Sequence, residues 1–411
     1  MFIFRIFIVV ICFSSAIVCA KTPTILISID GFSQDYLTRF ELPNLSQFNA
    51  SGVVAEAMVP AFPSKTFPNH ISIVTGVYPA KHGIIGNEFY SEDLQKIYSM
   101  GDGKYNSEWL TAKPIWTLAE EQGKRSAIYF WPESETRVAG LLPTEFFFYE
   151  HNRPNQQRVD QVKKWLARDD SARPDFIALY FSIVDSAGHD YGRDSMQLKN
   201  AVVEADRLVG DLVTFIDKTL AGKANLIVVS DHGMTKIDKA QLIYWRDHIT
   251  PSDQTIVVEE QTQLFVYSDK KDELARFNKV FSANQFGARV YTKSQFPKRW
   301  QWGMDAHNRL PDLVVDLSPP KTFSSIQKIN QRGTNDSKKY AETHGFDPYR
   351  YPEMNAIFLA RGPAFKKGYK LNQFNNIHVF ALLEELLELP PSNDVDASLD
   401  YVIDALTKQN K

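Results

Sequence analysis

A chain of 411 residues with 44% hydrophobic and 23% charged side chains has enough apolar material for a sizeable core, which excludes a disordered or fibrous protein. Its 46 basic and 49 acidic residues leave a net charge of −3, so there is little overall attraction to nucleic acid and long DNA or RNA is not an expected partner. No low-complexity linker, charge block or internal repeat occurs, and pairs such as Lys270-Lys271 and Lys366-Lys367 read as solvated surface.

The N-terminus reads as a leader. Arg5 supplies a positive charge, Ile6 to Ile17 is almost wholly apolar, and Val18-Cys19-Ala20 precedes a cut before Lys21, so residues 1–20 are expected to be a secretory signal peptide. Phe2 to Ala20 nearly reaches the roughly 20 residues that span a bilayer, but Ser14 and Ser15 weaken an uncleaved anchor, and Val18 disfavours lipid attachment at Cys19. Both cysteines, Cys12 and Cys19, fall in this segment, so the mature chain would have no disulfide; export without disulfides points to a bacterial periplasm, or to secretion. No second long apolar run is present.

Thr24 to Ile29 is an apolar, β-branched run that ends at Asp30. In Pro63-Ser64-Lys65-Thr66-Phe67-Pro68-Asn69-His70, Pro68 suits a first helical turn, Ile71 and Val74 give an apolar stripe, and Gly76 offers a stop, so Thr66 is expected near a helix N-cap. Asn87 after Gly86 reads on its own as a turn residue. Pro114 to Gln122 predicts a helix, Ala127 to Phe130 a strand, and Glu145-Phe146-Phe147-Phe148-Tyr149 an aromatic run in which Phe148 is expected in the core.

Phe176 to Val184 reads as a buried strand leading to Asp185 and His189; Ser195 to Leu220 reads as a long amphipathic helix; Leu226 to Ser230 leads to Asp231 and His232. Gln263–Ser268, Ala288–Tyr291 and Asp312–Leu317 predict strands and Asp272–Phe281 a helix, a compact cap in which Trp300 and Trp302 read as packing or as its inner face. After Glu342-Thr343-His344-Gly345 the core resumes at Ala356–Ala360 and a helix at 377–387. The expected fold is α/β, a doubly wound, mostly parallel sheet flanked by helices. Its core spans 21–250 and 335–411, and an α+β cap is inserted at 251–334.

Open α/β sheets bind ligands beyond the carboxyl ends of their strands, so Asp30, Asp185 and Asp231 should converge on one edge. With Thr66, His189, His232 and His344 they offer a hydroxyl nucleophile and ligands for two divalent metals, the equipment of a phosphoryl-transfer site. Imidazole with carboxylate suits zinc, and manganese or iron would also fit. A helix N-terminus at Thr66 would favour an alkoxide and a bound phosphate.

Several blocks resemble the nucleotide pyrophosphatase/phosphodiesterase family (type I phosphodiesterases) of the alkaline phosphatase superfamily. They are Ile29-Asp30-Gly31-Phe32, Lys65 to His70 through Tyr78-Pro79 to His82-Gly83-Ile84-Ile85 and Asn87, the Asp185/His189 pair, Ser230-Asp231-His232-Gly233-Met234 and Thr343-His344-Gly345, in the family's order over nearly the whole mature chain. The resemblance implies two Zn2+, one held by Asp185, His189 and His344 and the other by Asp30, Thr66, Asp231 and His232. It implies in-line attack by Thr66 through a covalent threonine ester, with the Phe67 amide and the Asn87 side chain on a nonbridging phosphate oxygen. It places Phe67, Tyr149 and Tyr180 around a nucleobase. The expected reaction is hydrolysis of nucleotide phosphodiesters and pyrophosphates to a nucleoside 5'-monophosphate, on small-molecule substrates and with a monomer favoured.

A choline-type phospholipid phosphodiesterase of the same family is the nearest alternative, with a noncatalytic module on the same fold in another class. Phosphoethanolamine transferases usually need a membrane domain, and sulfatases need Cys or Ser at the position of Thr66. His70 is expected to support its helix, His82 to order the loop leading to Asn87, and His151, His248, His307 and His378 have no ligand-like setting.

Overall fold

The computed structural model describes residues 22–283, 286–303, 305, 307–324 and 341–407. The expected leader with both cysteines, and residues 325–334 of the expected cap, lie outside them.

The chain runs through β1 (Thr24–Ile29), β2 (Val53–Ala55), α1 (Thr66–Thr75), α2 (Ile115–Glu121), β3 (Ser126–Tyr129), β4 (Glu145–Phe147), α3 (Asn155–Leu166), β5 (Phe176–Phe181), α4 (Ile183–Tyr191), α5 (Met196–Thr219) and β6 (Asn225–Val229). It continues through β7 (Ile256–Glu259), β8 (Gln263–Tyr267), α6 (Lys271–Phe281), β9 (Arg289–Thr292) and β10 (Leu313–Asp316), then β11 (Phe358–Arg361), β12 (Tyr369–Leu371) and α7 (His378–Leu386).

An eight-stranded sheet has the order β12-β2-β11-β6-β1-β5-β3-β4. β1 lies at its centre, parallel to β5 and β6, with Ile29 beside Phe181 and Ser28 beside Val229. This register levels the strand ends, so the residues just beyond them emerge on one edge. Every residue of β1 is buried because both faces are covered. Ile25, Ile27 and Ile29 pack with Leu198, Val202 and Leu208 of α5 and Trp165 of α3, while Leu26 packs in the opposite layer with Val379 and Leu383 of α7. A continuous apolar run is what a doubly covered strand requires.

The sheet is mostly parallel, as expected. β11 is the exception, antiparallel to both β6 and β2, because the chain re-enters from the carboxyl edge after the His344 loop. α5 matches its expected span within a residue at each end and is capped by Ser195, whose hydroxyl accepts from the Leu198 amide. The run 176–184 is shorter as a strand than its composition suggests. β5 stops at Phe181, Ser182 turns to helical backbone, and α4 starts at Ile183. Val184 stays buried in the new element, so hydrophobicity alone gives no sign of the switch.

A separate four-stranded antiparallel sheet, β7-β8-β10-β9, covers the carboxyl edge. Leu264 and Val266 face Phe277 and Phe281 of α6, and Phe265 and Val314 face Phe62, Ile71 and Phe89 of the larger body. Trp300 lies flat on Phe62, with ring centroids 3.8 Å apart, and Trp302 packs beside it. Both tryptophans are therefore packing residues.

Candidate active site

The segment that presents Thr66 is held by local bonds. Lys65 is extended, Thr66 is the first residue of α1, and Gly76 closes the helix in the left-handed region at φ 69°. The Asn69 side chain fastens the approach to the helix: its Oδ1 accepts from the Ala61 amide at 2.7 Å and its Nδ2 donates to Pro63 O at 3.0 Å and Lys65 O at 2.8 Å. Sequence reasoning missed Asn69, because an Asn inside a helix stripe gives no sign of this anchoring role. Thr66 Oγ1 faces His232 Nε2 at 3.4 Å, and the Phe67 amide donates to Asn87 Oδ1 at 3.0 Å.

Around Thr66 six carboxylate and imidazole side chains with metal-ligand chemistry come together. His189 Nε2 is 3.3 Å and His344 Nε2 3.7 Å from Asp185 Oδ1. His232 Nε2 is 3.0 Å from Asp231 Oδ2 and 3.5 Å from Asp30 Oδ1. The His232 and His344 rings stack at 3.6 Å, which joins the two groups into one centre. Asp185 and His189 lie one turn apart on α4, so the four-residue spacing puts both on the same helix face.

The chemistry of these donors fits divalent cations. Each of the three imidazoles spends Nδ1 on a backbone carbonyl: His189 on Glu342 at 2.9 Å, His232 on Gly233 at 3.0 Å and His344 on Ser64 at 2.9 Å. That fixes the tautomer and leaves each Nε2 lone pair turned to the centre. Asp30 accepts the Tyr180 hydroxyl on Oδ2 at 2.5 Å, and Asp231 accepts the Gly31 amide on Oδ1 at 3.1 Å. The opposite oxygens, Asp30 Oδ1 and Asp231 Oδ2, and also Asp185 Oδ1, are buried without a hydrogen-bond partner. Three such oxygens in one place call for positive charge.

The electrostatics agree. Burial, then the neighbouring Asp231 and Asp185, push the Asp30 carboxyl well above the usual range. Burial acts the same way on Asp231, but His232 and His70 outweigh it and hold it well below that range. Burial, His232 and Lys65 keep the His344 imidazole neutral, whereas Asp185 overcomes burial and raises His189.

His70 also approaches this centre, with Nδ1 3.3 Å from Asp231 Oδ2. Both of its ring nitrogens are engaged, Nε2 with Ser28 Oγ at 2.8 Å and Nδ1 with Thr66 O at 2.9 Å, so it braces α1 and Asp231. His82 bonds Ser72 Oγ at 3.0 Å and the Ile84 amide at 3.1 Å, ordering the segment toward Asn87.

The His344 loop leans on the smaller sheet. Gln263 Nε2 bridges Gly345 O and Asp316 Oδ1, both at 2.9 Å. Burial raises the Asp316 carboxyl to about 7, opposed by Gln263, reinforced by Asp347, and opposed again by Arg289 and Arg350. The folded protein thus keeps a proton that the unfolded chain releases near 3.8, and stability falls as pH rises between those values. Asp316→Asn should remove this loss, by no more than about 4 kcal/mol at roughly 1.4 kcal/mol per unit. Thermal melts of variant and parent should coincide near pH 4 and diverge in the variant's favour near pH 8; parallel curves would refute the assignment.

A cavity of about 880 Å³ opens over the centre, with Phe67, Tyr149, Lys104, Glu135 and His151 among its walls. Tyr149 is 45% exposed, packs edge-on to Phe130 and Tyr180, and bonds His151 Nδ1 through its hydroxyl at 3.0 Å. Its ring is available to a ligand. Tyr180 is buried and committed through its hydroxyl to Asp30, so it touches the cavity mainly as support. Phe148, expected in the core, is 64% exposed: it lies just past the edge strand β4 and packs on Phe146, while Phe147 turns inward onto Tyr129. His151 lines the cavity although its sequence setting gives no ligand signal.

Arg158 is a further residue that sequence reasoning missed. Fully buried, it donates to Tyr180 O at 2.8 Å and Arg153 O at 3.0 Å and lies 4.9 Å from the centre of the Phe130 ring, tying the aromatic wall to α3. In sequence it is one arginine in a polar helix face.

The sequence profile of the type I phosphodiesterase / nucleotide pyrophosphatase family matches residues 24–347. Over 390 residues the chain is 33% identical to a bis(5'-adenosyl)-triphosphatase of Xenopus laevis, covering 92% of this chain and 82% of that protein. It is 33% identical to the human ectonucleotide pyrophosphatase/phosphodiesterase family member 1 over 396 residues, 93% of this chain. It is also 33% identical to a Naja atra venom phosphodiesterase over 401 residues. It spans less than half of those two proteins, 42% and 46% respectively. The structure of an inactive murine ectonucleotide pyrophosphatase/phosphodiesterase 5 in complex with AMP superposes with a TM-score of 0.83 at 26% identity, covering 94% of this chain and all of that one.

Proposed function

Because the chain belongs to the type I phosphodiesterase / nucleotide pyrophosphatase family, we propose that it hydrolyses nucleotide phosphodiester and pyrophosphate bonds to release a nucleoside 5'-monophosphate, through a covalent ester on Thr66. The observation that carries this reading is the set of orphaned carboxylate oxygens and imidazole Nε2 atoms gathered beside the Thr66 hydroxyl, under an aromatic-walled cavity.

Two Zn2+ ions are the proposed occupants, one with Asp185, His189 and His344 and one with Asp30, Thr66, Asp231 and His232. When bound, they would lower the pKa of the Thr66 hydroxyl and offset charge on the entering and leaving oxygens. The protein's own groups do the rest. Thr66 Oγ, having lost its proton, attacks phosphorus in line; the bond to the leaving oxygen breaks as the ester to Thr66 forms. Water then attacks phosphorus from the vacated side, and the Thr66–phosphorus bond breaks to give the 5'-monophosphate and the free hydroxyl. The Phe67 amide, expected on a nonbridging oxygen, donates instead to Asn87 Oδ1, which leaves Asn87 Nδ2 to donate to that oxygen. Neutral donors suit a diester with a single charge.

Phe67 and Tyr149 are the proposed nucleobase walls, with Tyr180 supporting Asp30 and Tyr149. Replacing Phe67 or Tyr149 by alanine should raise KM for a nucleotide ester about tenfold, since stacking is worth roughly 1–3 kcal/mol per base, while bis(p-nitrophenyl) phosphate, which has no base, should be cleaved as before. Equal losses on both substrates would remove the aromatic assignment.

The smaller sheet, with residues 251–334, is proposed as a cap on a core of residues 21–250 and 335–411, restricting which leaving groups enter. No helix among the described residues is long and apolar enough to cross a membrane. The apolar leader in the sequence supports export, with the periplasm as the proposed compartment. The deciding assay compares the p-nitrophenyl ester of thymidine 5'-monophosphate with p-nitrophenylphosphorylcholine. Faster turnover of the nucleotide ester supports the proposed function, and a preference for the choline ester would replace it with the phospholipid reading.

A further inference from the structure

Glu260 stands at the turn between β7 and β8, only 4% exposed. Its carboxylate accepts the Asn87 amide on Oε2 at 3.2 Å and the Glu88 amide on Oε1 at 2.6 Å. One side chain of the smaller sheet therefore clamps two consecutive peptides of the loop that presents Asn87. The approach is close: a Cβ on Gly86 would lie 2.9 Å from Glu88 O, 3.2 Å from the Phe265 ring and 3.4 Å from Glu260 Cδ. The absence of a side chain at Gly86 lets the loop reach the carboxylate.

From this clamp a short chain of bonds leads to the nucleophile. Glu260 fixes the Asn87 backbone, the Asn87 side chain meets the Phe67 amide at 3.0 Å, and Phe67 follows Thr66 at the start of α1. Charge-assisted bonds from a buried carboxylate to backbone amides are among the stronger ones available, and these two fall on Asn87 itself and on the residue after it. A displacement of about 1 Å in a group aimed at a reacting phosphate is costly in rate.

We propose that Glu260 is a positioning residue for phosphoryl transfer, holding Asn87 where its side-chain Nδ2 meets a nonbridging oxygen. The inference rests on the proposed phosphodiesterase reading and on Asn87 as a phosphate donor. It gives the smaller sheet a part in the chemistry in addition to limiting access.

A double-mutant cycle tests it, using kcat and KM on the thymidine ester for Asn87→Ala, Glu260→Ala and the double variant, each first checked by thermal melting. Expected are a loss of tenfold or more in kcat for Glu260→Ala with a smaller change in KM, and less than a threefold further loss when the same change is made in the Asn87→Ala background. Multiplicative losses in the double variant, or no loss for Glu260→Ala, overturn the positioning role while leaving the phosphodiesterase reading intact. A silent Asn87→Ala would instead remove the donor on which the inference depends. If Glu260→Ala does not fold, Glu260→Gln keeps one acceptor oxygen and the shape; it should show a smaller loss that likewise vanishes without Asn87, and a loss that persists overturns the role.

Discussion

Thr66→Ala should abolish turnover of the thymidine ester, lowering kcat by about 10⁴-fold or more, the scale seen when a nucleophile is removed. AMP should still bind to the variant, because the proposed aromatic walls and the proposed metal-ligand carboxylates are untouched. Calorimetry with AMP separates the two effects. Thr66→Ser should retain part of the rate, since it keeps a hydroxyl in the same place, 3.4 Å from His232 in the parent. Rapid quenching followed by intact-mass measurement should show the parent carrying a nucleotidyl adduct on Thr66, and the alanine variant none. Full turnover without the Thr66 hydroxyl would mean direct attack by water and would end the covalent scheme.

Metal removal should have the second large effect. A chelator should silence the enzyme and lower its melting temperature, and Zn2+ should restore both. At a free metal concentration of 1,000 times Kd the gain in stability is about 4 kcal/mol per site. The pH dependence has a definite sign. Burial and carboxylate neighbours push Asp30 up and Asp185 raises His189, so protons compete with a metal at these two groups up to a higher pH than at free side chains. His344 is already neutral and contributes no such competition. Metal affinity should therefore strengthen as pH rises and weaken as it falls, with net proton release on binding, measurable by titration in buffers of different ionisation enthalpy. Proton uptake on binding, or a melting temperature indifferent to chelator, would contradict the proposed site.

Much of this centre is legible in the sequence because its residues sit just past strand ends. Apolar runs before Asp30 and Asp231 are a strong signal for doubly covered parallel strands, and parallel strands in register deliver their succeeding residues to one edge. For Asp185 the expected neighbourhood is right, but the element that carries it is a helix rather than a strand end. The hydrophobic run passes through Ser182 into that helix without changing character, and the four-residue spacing to His189 is the better clue to a helical face.

Residues that act at one remove are harder to see. Asn69, Arg158 and Glu260 work through backbone amides and carbonyls, and such bonds leave no motif in the residues that make them. Phe148 departs from its expected burial because the edge strand ends at Phe147: Phe146 and Phe147 pack half-buried on the two core layers, and Phe148 follows beyond the strand and is exposed. The antiparallel β11 is hidden for a topological reason. Its direction depends on where the chain returns after the smaller sheet, which no local pattern encodes.

An anomalous-difference map at the zinc edge, from crystals grown with Zn2+, tests the centre most directly. Expected are two peaks about 4 Å apart, one among Asp185, His189 and His344 and the other among Asp30, Asp231, His232 and the Thr66 hydroxyl. A single peak, or ligation by His70 in place of His232, would contradict the proposed two-metal arrangement around Thr66.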